Sequence, residues 1–291
     1  MTESSFLFGD AGSLVGTLSR ATQGVPAGTV GILLLNAGVI ARTGPHRMNV
    51  KLARAFAALG YPSLRFDLAG LGDSPRSSGS LPYEQQSVAD ICSAMDRLSA
   101  LTGLEQFVLV GFCSGADNGL NAALTDPRLQ GLVMFDAYTY PNIRTHLTRM
   151  LERLRQQGLL ATAKNWLRHR LKKSKAPTQK PLGEPEPSAP QSATSSRIVP
   201  PKAVFAEQMV KLVERGCRFL FIYSGSFLYT YNHAGQFAST FKAWPALRGI
   251  RSDFMPEVDH VVGECRAQLL LQTRLTEWVT QQFPPQASRT S

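Results

Sequence analysis

The sequence predicts an α/β fold: a mostly parallel central sheet flanked by helices, with a helical cap inserted after the strand ending at Asp136. Three observations carry this. Short apolar runs alternate with stretches of helical periodicity. The runs lack polar alternation, as strands buried on both faces do. One basic and proline-rich stretch interrupts the alternation between residues 141 and 201, and the alternation resumes beyond it.

Taken in order, Phe6-Leu7-Phe8 and Ser13 to Ser19 can pair as an opening hairpin, and Val30 to Leu35 reads as a buried strand. Met48 to Leu59 has helical spacing and is closed by Gly60, a residue suited to ending a helix. Then come Ser63 to Asp67 as strand, Tyr83 to Leu101 as helix, Phe107 to Gly111 as strand, Gly115 to Leu124 as helix and Leu132 to Asp136 as strand. Ile143, Leu147, Met150, Leu151 and Leu154, and after Gly158 a second run from Leu159 to Leu171, give two amphipathic helices. Seven prolines among Ser, Gln, Thr and Glu follow between Ala176 and Pro201, too polar a composition to order itself. The alternation resumes with helix Val204 to Arg215, strand Phe219 to Tyr223, a helix around Ala234 to Phe241, strand Ile250 to Met255 and helix Gly263 to Val279. The expected division is a core of residues 1–140 and 202–291, a basic helical cap over 141–175 and a flexible Pro-rich linker over 176–201.

A chain of 291 residues, 43% hydrophobic and 18% charged, buries a sizeable core without disulfides or metals, which excludes a miniature scaffold. The longest apolar stretch, Gly31 to Ile40, is broken by Asn36 and falls well short of the ~20 residues of a membrane span. Cys92, Cys113, Cys217 and Cys265 are scattered, with no C-x-x-C pair, so neither a zinc site nor a disulfide framework is expected. The first residues lack a basic stretch leading into an apolar one, and the expectation is a cytoplasmic protein.

The formal charge of +10 is local. Ten basic residues between Arg144 and Lys175 face one acid, Glu152, whereas the rest of the chain carries 21 basic and 20 acidic residues. The basic helices read either as a solvated face or as a docking surface for an acidic carrier protein, CoA phosphates or an anionic membrane surface. With one Trp in the stretch and no binding motif, nucleic acid is not expected.

The sharpest motif is Gly111-Phe112-Cys113-Ser114-Gly115, between an apolar strand and a helix. A nucleophile elbow needs glycines two residues either side of the nucleophile, because the turn is too tight for side chains there. Here the central residue is cysteine. Without catalysis, the same motif reads as a tight strand-to-helix turn holding a small buried thiol.

With this elbow the chain resembles the α/β-hydrolase superfamily. Asp67-Leu-Ala-Gly70-Leu-Gly72-Asp-Ser74 looks like that superfamily's D-x-x-G-x-G-x-S turn, and Asn36-Ala37-Gly38 stands where many members supply an oxyanion-hole amide. Met255-Pro-Glu-Val-Asp-His260 looks like the catalytic-histidine loop. Together with Gly44-Pro-His-Arg47 and Leu64-Arg-Phe-Asp67, the set also resembles bacterial hydrolases encoded beside exosortase or biosynthetic systems. In much of the superfamily the acid follows the next-to-last strand, but Tyr223 to Asn232 holds no carboxylate. Asp136, at the end of an earlier strand, looks like the arrangement of polyketide and nonribosomal-peptide thioesterases.

The resemblance implies a triad of Cys113 as nucleophile, His260 as base and later acid, and Asp136 orienting the imidazole. Backbone amides of Ser114 and of Gly38 or Val39 would hold the oxyanion. Asp259, adjoining His260, points elsewhere on an extended segment, and Asp117 is expected to make a cap or polar contact. Arg47, Tyr229 and His233 are candidate substrate contacts. No metal or other cofactor is called for. A thioesterase-like acyl hydrolase or acyltransferase is expected, with a carboxylester or peptide hydrolase and a non-catalytic binding protein as the alternatives.

Overall fold

Strand side chains project to alternate faces, so a run of apolar residues feeds two cores at once. In the computed structural model, which describes residues 2–152, 155 and 197–286, this alternation builds the molecule. Leu33, Leu109, Leu132 and Met134 pack into one core, while Ile32, Leu34, Val108, Val110, Val133 and Phe135 pack into the other.

Eight strands form one sheet: β1 (Glu3–Phe8), β2 (Leu14–Ser19), β3 (Gly31–Leu34), β4 (Ser63–Asp67), β5 (Phe107–Phe112), β6 (Leu129–Phe135), β7 (Arg218–Ser224) and β8 (Arg251–Met255). Their order is β1-β2-β4-β3-β5-β6-β7-β8. The opening hairpin β1–β2 is antiparallel and joins β4 antiparallel, and every later pairing is parallel.

Helices α1 (Met48–Ala58) and α7 (Cys265–Gln282) cover one face, through Met48, Leu52, Phe56, Leu271, Leu275 and Trp278. Helices α2 (Tyr83–Thr102), α3 (Ser114–Thr125) and, beyond a helix α4 over 143–152, α5 (Lys202–Glu214) and the short α6 (Gln236–Thr240) lie on the other side. Ile91, Met95, Leu98, Leu120, Phe205, Met209 and Phe237 fill that core. The expected elements agree with these to within a few residues at either end, β6 starting three residues before its expected first residue. The helix expected over 159–171 and most of the Pro-rich stretch lie outside the described residues.

The chain runs from β3 to β4 on one side, then from β4 to β5 on the other side of β3. This reversal opens a crevice at the carboxyl ends of β3 and β5, where open α/β sheets bind ligands. Asn36 to Ile40 leaves β3 there, and Cys113 leaves β5.

Candidate active site

Cys113 sits between the last residue of β5 and the first of α3 at φ 53°, ψ −118°. Such a conformation costs a non-glycine residue ~1–3 kcal/mol, so its surroundings must hold it there. They do so through backbone hydrogen bonds: Cys113 N donates to Phe135 O at 2.9 Å, and Ala116 N donates to Cys113 O at 3.0 Å. A Cβ on Gly111 would run into the backbone of Gly115 and Ala116, and one on Gly115 would lie 2.6 Å from Asn36 O. Both elbow glycines are therefore required by close approach.

Asp136 follows β6 at φ 49°, its side chain 1% exposed. Its Oδ1 accepts from Ser224 N at 2.8 Å, and its Oδ2 accepts from Ser224 Oγ at 2.8 Å and meets His260 Nδ1 at 2.7 Å. The His260 backbone N donates to Ser226 Oγ at 2.8 Å, which ties the loop after β8 to the turn after β7. The imidazole stacks on Phe135 and meets the Phe227 ring edge-on. With Nδ1 committed to Asp136, Nε2 is left for the Cys113 thiol, which lines the same cavity as the imidazole. The expected Cys113–His260–Asp136 relay is thus brought together.

The electrostatics follow from these contacts. The hydrogen bond from His260 lowers the Cys113 thiol pKa against the opposing effect of burial, helped by the Arg197 charge and by the Ser114 amide. His260 is raised to about 9, chiefly by its hydrogen bond to Asp136 and then by Cys113. Both shifts run toward the thiolate–imidazolium form of the pair. Burial does the reverse at Cys92 and Cys217, whose thiols are pushed up to about 11 and 12. Of these three, only Cys113 is disposed to react.

At the candidate oxyanion hole, the Ser114 amide opens α3 and faces the Cys113 sulfur. Gly38 and Val39 form the tip of a turn closed by Ile40 N donating to Ala37 O at 3.1 Å. Gly38 N donates to Ser114 Oγ at 3.2 Å. Asn36 fixes the turn, with Nδ2 donating to Ile40 O and to Asp67 Oδ1, each at 2.9 Å. Asp67 is fully buried and also accepts from Arg42, so the turn after β4 braces the turn after β3.

A cavity of about 510 Å³ opens over Cys113 and His260, with Val39, Ile40, Phe112, Ala137, Val199 and Phe227 among its apolar walls. Three expected substrate contacts lie outside its lining. Arg47 takes φ 61° where α1 begins and its side chain is exposed, while Pro45 from the same loop faces the cavity. After Gly225 to Phe227 the chain turns tightly, with Thr230 N and Tyr231 N donating to Phe227 O. Residues three apart then share a side, so Phe227 and Thr230 reach the cavity and Tyr229 turns away beneath the Arg149 guanidinium, 3.8 Å from its ring centroid. His233 has both ring nitrogens buried away from the cavity, and burial followed by the charge of Arg144 lowers its pKa.

Two contributors were not singled out from the sequence. Ser224 holds both oxygens of Asp136, at the strand end where a carboxylate was missed. Arg197, expected to belong to the flexible linker, lines the cavity and is hydrogen-bonded to Asp117 and to the backbone of Cys113 and Asp136. Asp117 makes a polar contact, as expected, and Asp259 accepts from Gly263 N at 3.0 Å instead of meeting His260.

A strand-elbow-helix turn, a histidine loop after the last strand and a doubly covered sheet define an α/β hydrolase. The chain belongs to that family: the model described as alpha/beta hydrolase fold matches residues 32–185. Similar solved structures include a serine hydrolase without lid from Xanthomonas campestris, at TM-score 0.54 and 14% identity, covering 98% of this chain and 97% of that one. The esterase domain of a Rhodothermus marinus protein has TM-score 0.54 and 16% identity over 97% of this chain and 99% of that one. Est1E from Butyrivibrio proteoclasticus has TM-score 0.54 and 13% identity over 96% and 98%. At these identities the likeness is one of fold. Comparison with curated proteins gives no match.

Proposed function

We propose that the protein is a thioesterase-like acyl hydrolase or acyltransferase acting on an acyl thioester or ester through an acyl-cysteine intermediate. The observation that carries this reading is the His260–Asp136 hydrogen bond beside Cys113 at the floor of an apolar cavity. In the first half-reaction the Cys113 thiolate attacks the acyl carbon, forming a C–S bond and a tetrahedral oxyanion. The amides of Ser114 and of Gly38 or Val39 stabilise that oxyanion, each donor worth ~2.7–4 kcal/mol in comparable enzymes. As the oxyanion collapses the leaving thiolate or alkoxide departs, taking the imidazolium proton of His260. In the second half-reaction neutral His260 takes a proton from water, an alcohol or an amine as that group attacks the thioester. The C–S bond breaks, the acyl product leaves and the Cys113 thiolate is restored beside imidazolium.

A cysteine nucleophile suits thioester substrates. Exchange of one thioester for another is nearly balanced in energy, and the departing thiol, of ordinary pKa ~8.5, needs little help from an acid. The basic stretch from Arg144 to Lys175 fits an acidic carrier protein or CoA phosphates as the acyl donor's handle, and salt would weaken that association.

Intact-protein mass after brief exposure to a panel of acyl thioesters and esters tests the reading. The expected result is an acyl adduct on the parent protein, absent in Cys113→Ala and slow to form or resolve in His260→Ala and Asp136→Asn. If the parent is labelled no faster than Cys113→Ala by any donor, acyl-cysteine chemistry is refuted.

A further inference from the structure

Arg197 lies only five residues before the start of α5, yet its guanidinium reaches the chemical centre of the protein. Its Nη1 donates to Asp136 O at 2.9 Å and its Nη2 donates to Cys113 O at 3.4 Å. These carbonyls belong to the two triad residues held at positive φ, at the ends of the neighbouring strands β5 and β6. Its Nε donates to Asp117 Oδ2 at 2.5 Å and its Nη2 donates to Asp117 Oδ1, a two-pronged ion pair with a carboxylate on the first turn of α3. The Tyr138 ring lies 4.5 Å from the guanidinium carbon and closes the remaining side. Four of its five N–H donors are thus engaged by the protein, leaving one on Nη1. Tyr140 Oη donates to Pro200 O at 2.9 Å and pins the segment that carries it.

We propose that Arg197 is a positioning residue for the thiol chemistry: it bridges the turns that carry Cys113 and Asp136, and sets a fixed positive charge behind the nucleophile. This rests on Cys113 being the nucleophile. Lysine in its place would keep a charge, but its single ammonium could not span Asp117 and two carbonyls in one plane. Asp117 is the anchor. Burial opposes the charge on Arg197, but the hydrogen bonds and charge of Asp117 outweigh it and raise the arginine pKa. The charged groups that bear on the thiol are then His260 and Arg197, with Asp117 and Tyr138 facing Arg197. Each positive neighbour favours the thiolate.

The test is the pH dependence of iodoacetamide alkylation at Cys113, followed by peptide mass mapping so that the other cysteines are scored separately. Parent, Arg197→Gln, Arg197→Lys and Asp117→Asn are compared, with melting temperatures alongside. Losing the charge is expected to move the Arg197→Gln profile upward by roughly half to one pH unit, about three- to tenfold less thiolate on its acid limb. Arg197→Lys is expected between parent and Arg197→Gln, and Asp117→Asn is expected to shift the profile by releasing the arginine. A purely structural role would lower melting temperatures and leave the profiles superimposed, and superimposed profiles overturn the proposal. If Arg197→Gln does not fold, the lysine and Asp117→Asn variants decide in the same way. Alkylation needs no acyl substrate, so failure of every acyl donor leaves this result standing. Conversely, parent-like profiles remove Arg197 from the chemistry without touching acyl labelling.

Discussion

Asp136→Asn is the substitution whose consequence follows most directly from the geometry. His260 is raised from its ordinary 6.5 to about 9, with Asp136 as the largest cause and Cys113 the next. At ~1.4 kcal/mol per pH unit the whole rise corresponds to about 3.5 kcal/mol. The imidazole is 32% exposed, so solvent screens part of this, and Cys113 carries a share. About 1.5–2 kcal/mol is left for Asp136, a fall of roughly 1–1.5 in the His260 midpoint. Hydrogen bonding adds a second loss. Ser224 N fixes the atom at Oδ1 as an acceptor, so the asparagine amide nitrogen must take the Oδ2 place facing His260 Nδ1. A donor there forces Nδ1 to accept and moves the neutral ring's proton to Nε2, the wrong tautomer for taking a proton from an attacking nucleophile. Together these predict acyl turnover reduced by roughly 10²–10³, somewhat less than in a serine triad because a thiol gives up its proton more readily than a hydroxyl. The His260 ring protons, followed by NMR across pH 5–11, report the midpoint directly, and turnover is measured on the same samples. A midpoint within about 0.3 of the parent value would refute the assigned role of Asp136, whatever happened to the rate.

Gly115→Ala places a Cβ 2.6 Å from Asn36 O, backbone that cannot give way, and should lower stability by about 1–3 kcal/mol and distort the elbow; melting temperature and Cys113 alkylation rate check both. Ser224→Ala removes the hydroxyl that donates to Asp136 Oδ2 but keeps the Ser224 N bond, so turnover should fall by roughly tenfold, well short of Asp136→Asn. Arg47→Ala should leave turnover within about twofold, because the side chain is exposed outside the cavity. Because the folded pKa of His260 is raised to about 9, its stabilising contribution is full below the unfolded value of about 6.5 and is lost as pH rises through 9. The stability gap between parent and His260→Gln, measured by urea unfolding, should therefore narrow steadily from pH 6.5 to pH 10.

The sheet was legible because strands buried on both faces have few sequence alternatives. Ile32-Leu33-Leu34 and Val108-Leu109-Val110 must feed two cores, and they do. The elbow was legible because Gly111 and Gly115 leave no room for a side chain, a constraint that acts locally and so shows in local spacing. Arg197 was illegible for the opposite reason. It stands in a polar, proline-rich stretch, and its partners Cys113, Asp117 and Asp136 are 61 to 84 positions away. Arg47, Tyr229 and His233 were assigned from nearness along the chain to recognised motifs, which does not specify where a side chain points. The left-handed backbone at Arg47 and the tight turn after Ser224 redirected them.

At position 225, the first after β7, a carboxylate is excluded sterically. Gly225 N donates to Val258 O at 2.8 Å, and a Cβ on Gly225 would collide with Pro256 O, so the histidine loop lies directly against this glycine. An acid at 225 would push the loop away and take His260 with it. The acid instead comes from the end of β6, between the elbow strand and β7, and Ser224 passes two hydrogen bonds to it from the strand where an acid was sought. Placing Asp136 there also puts its carbonyl beside that of Cys113, close enough for one guanidinium to engage both. Arg197 engages the backbone carbonyl of residue 136, so its bridge to Cys113 depends on the turn after β6 and not on the carboxylate that the turn carries.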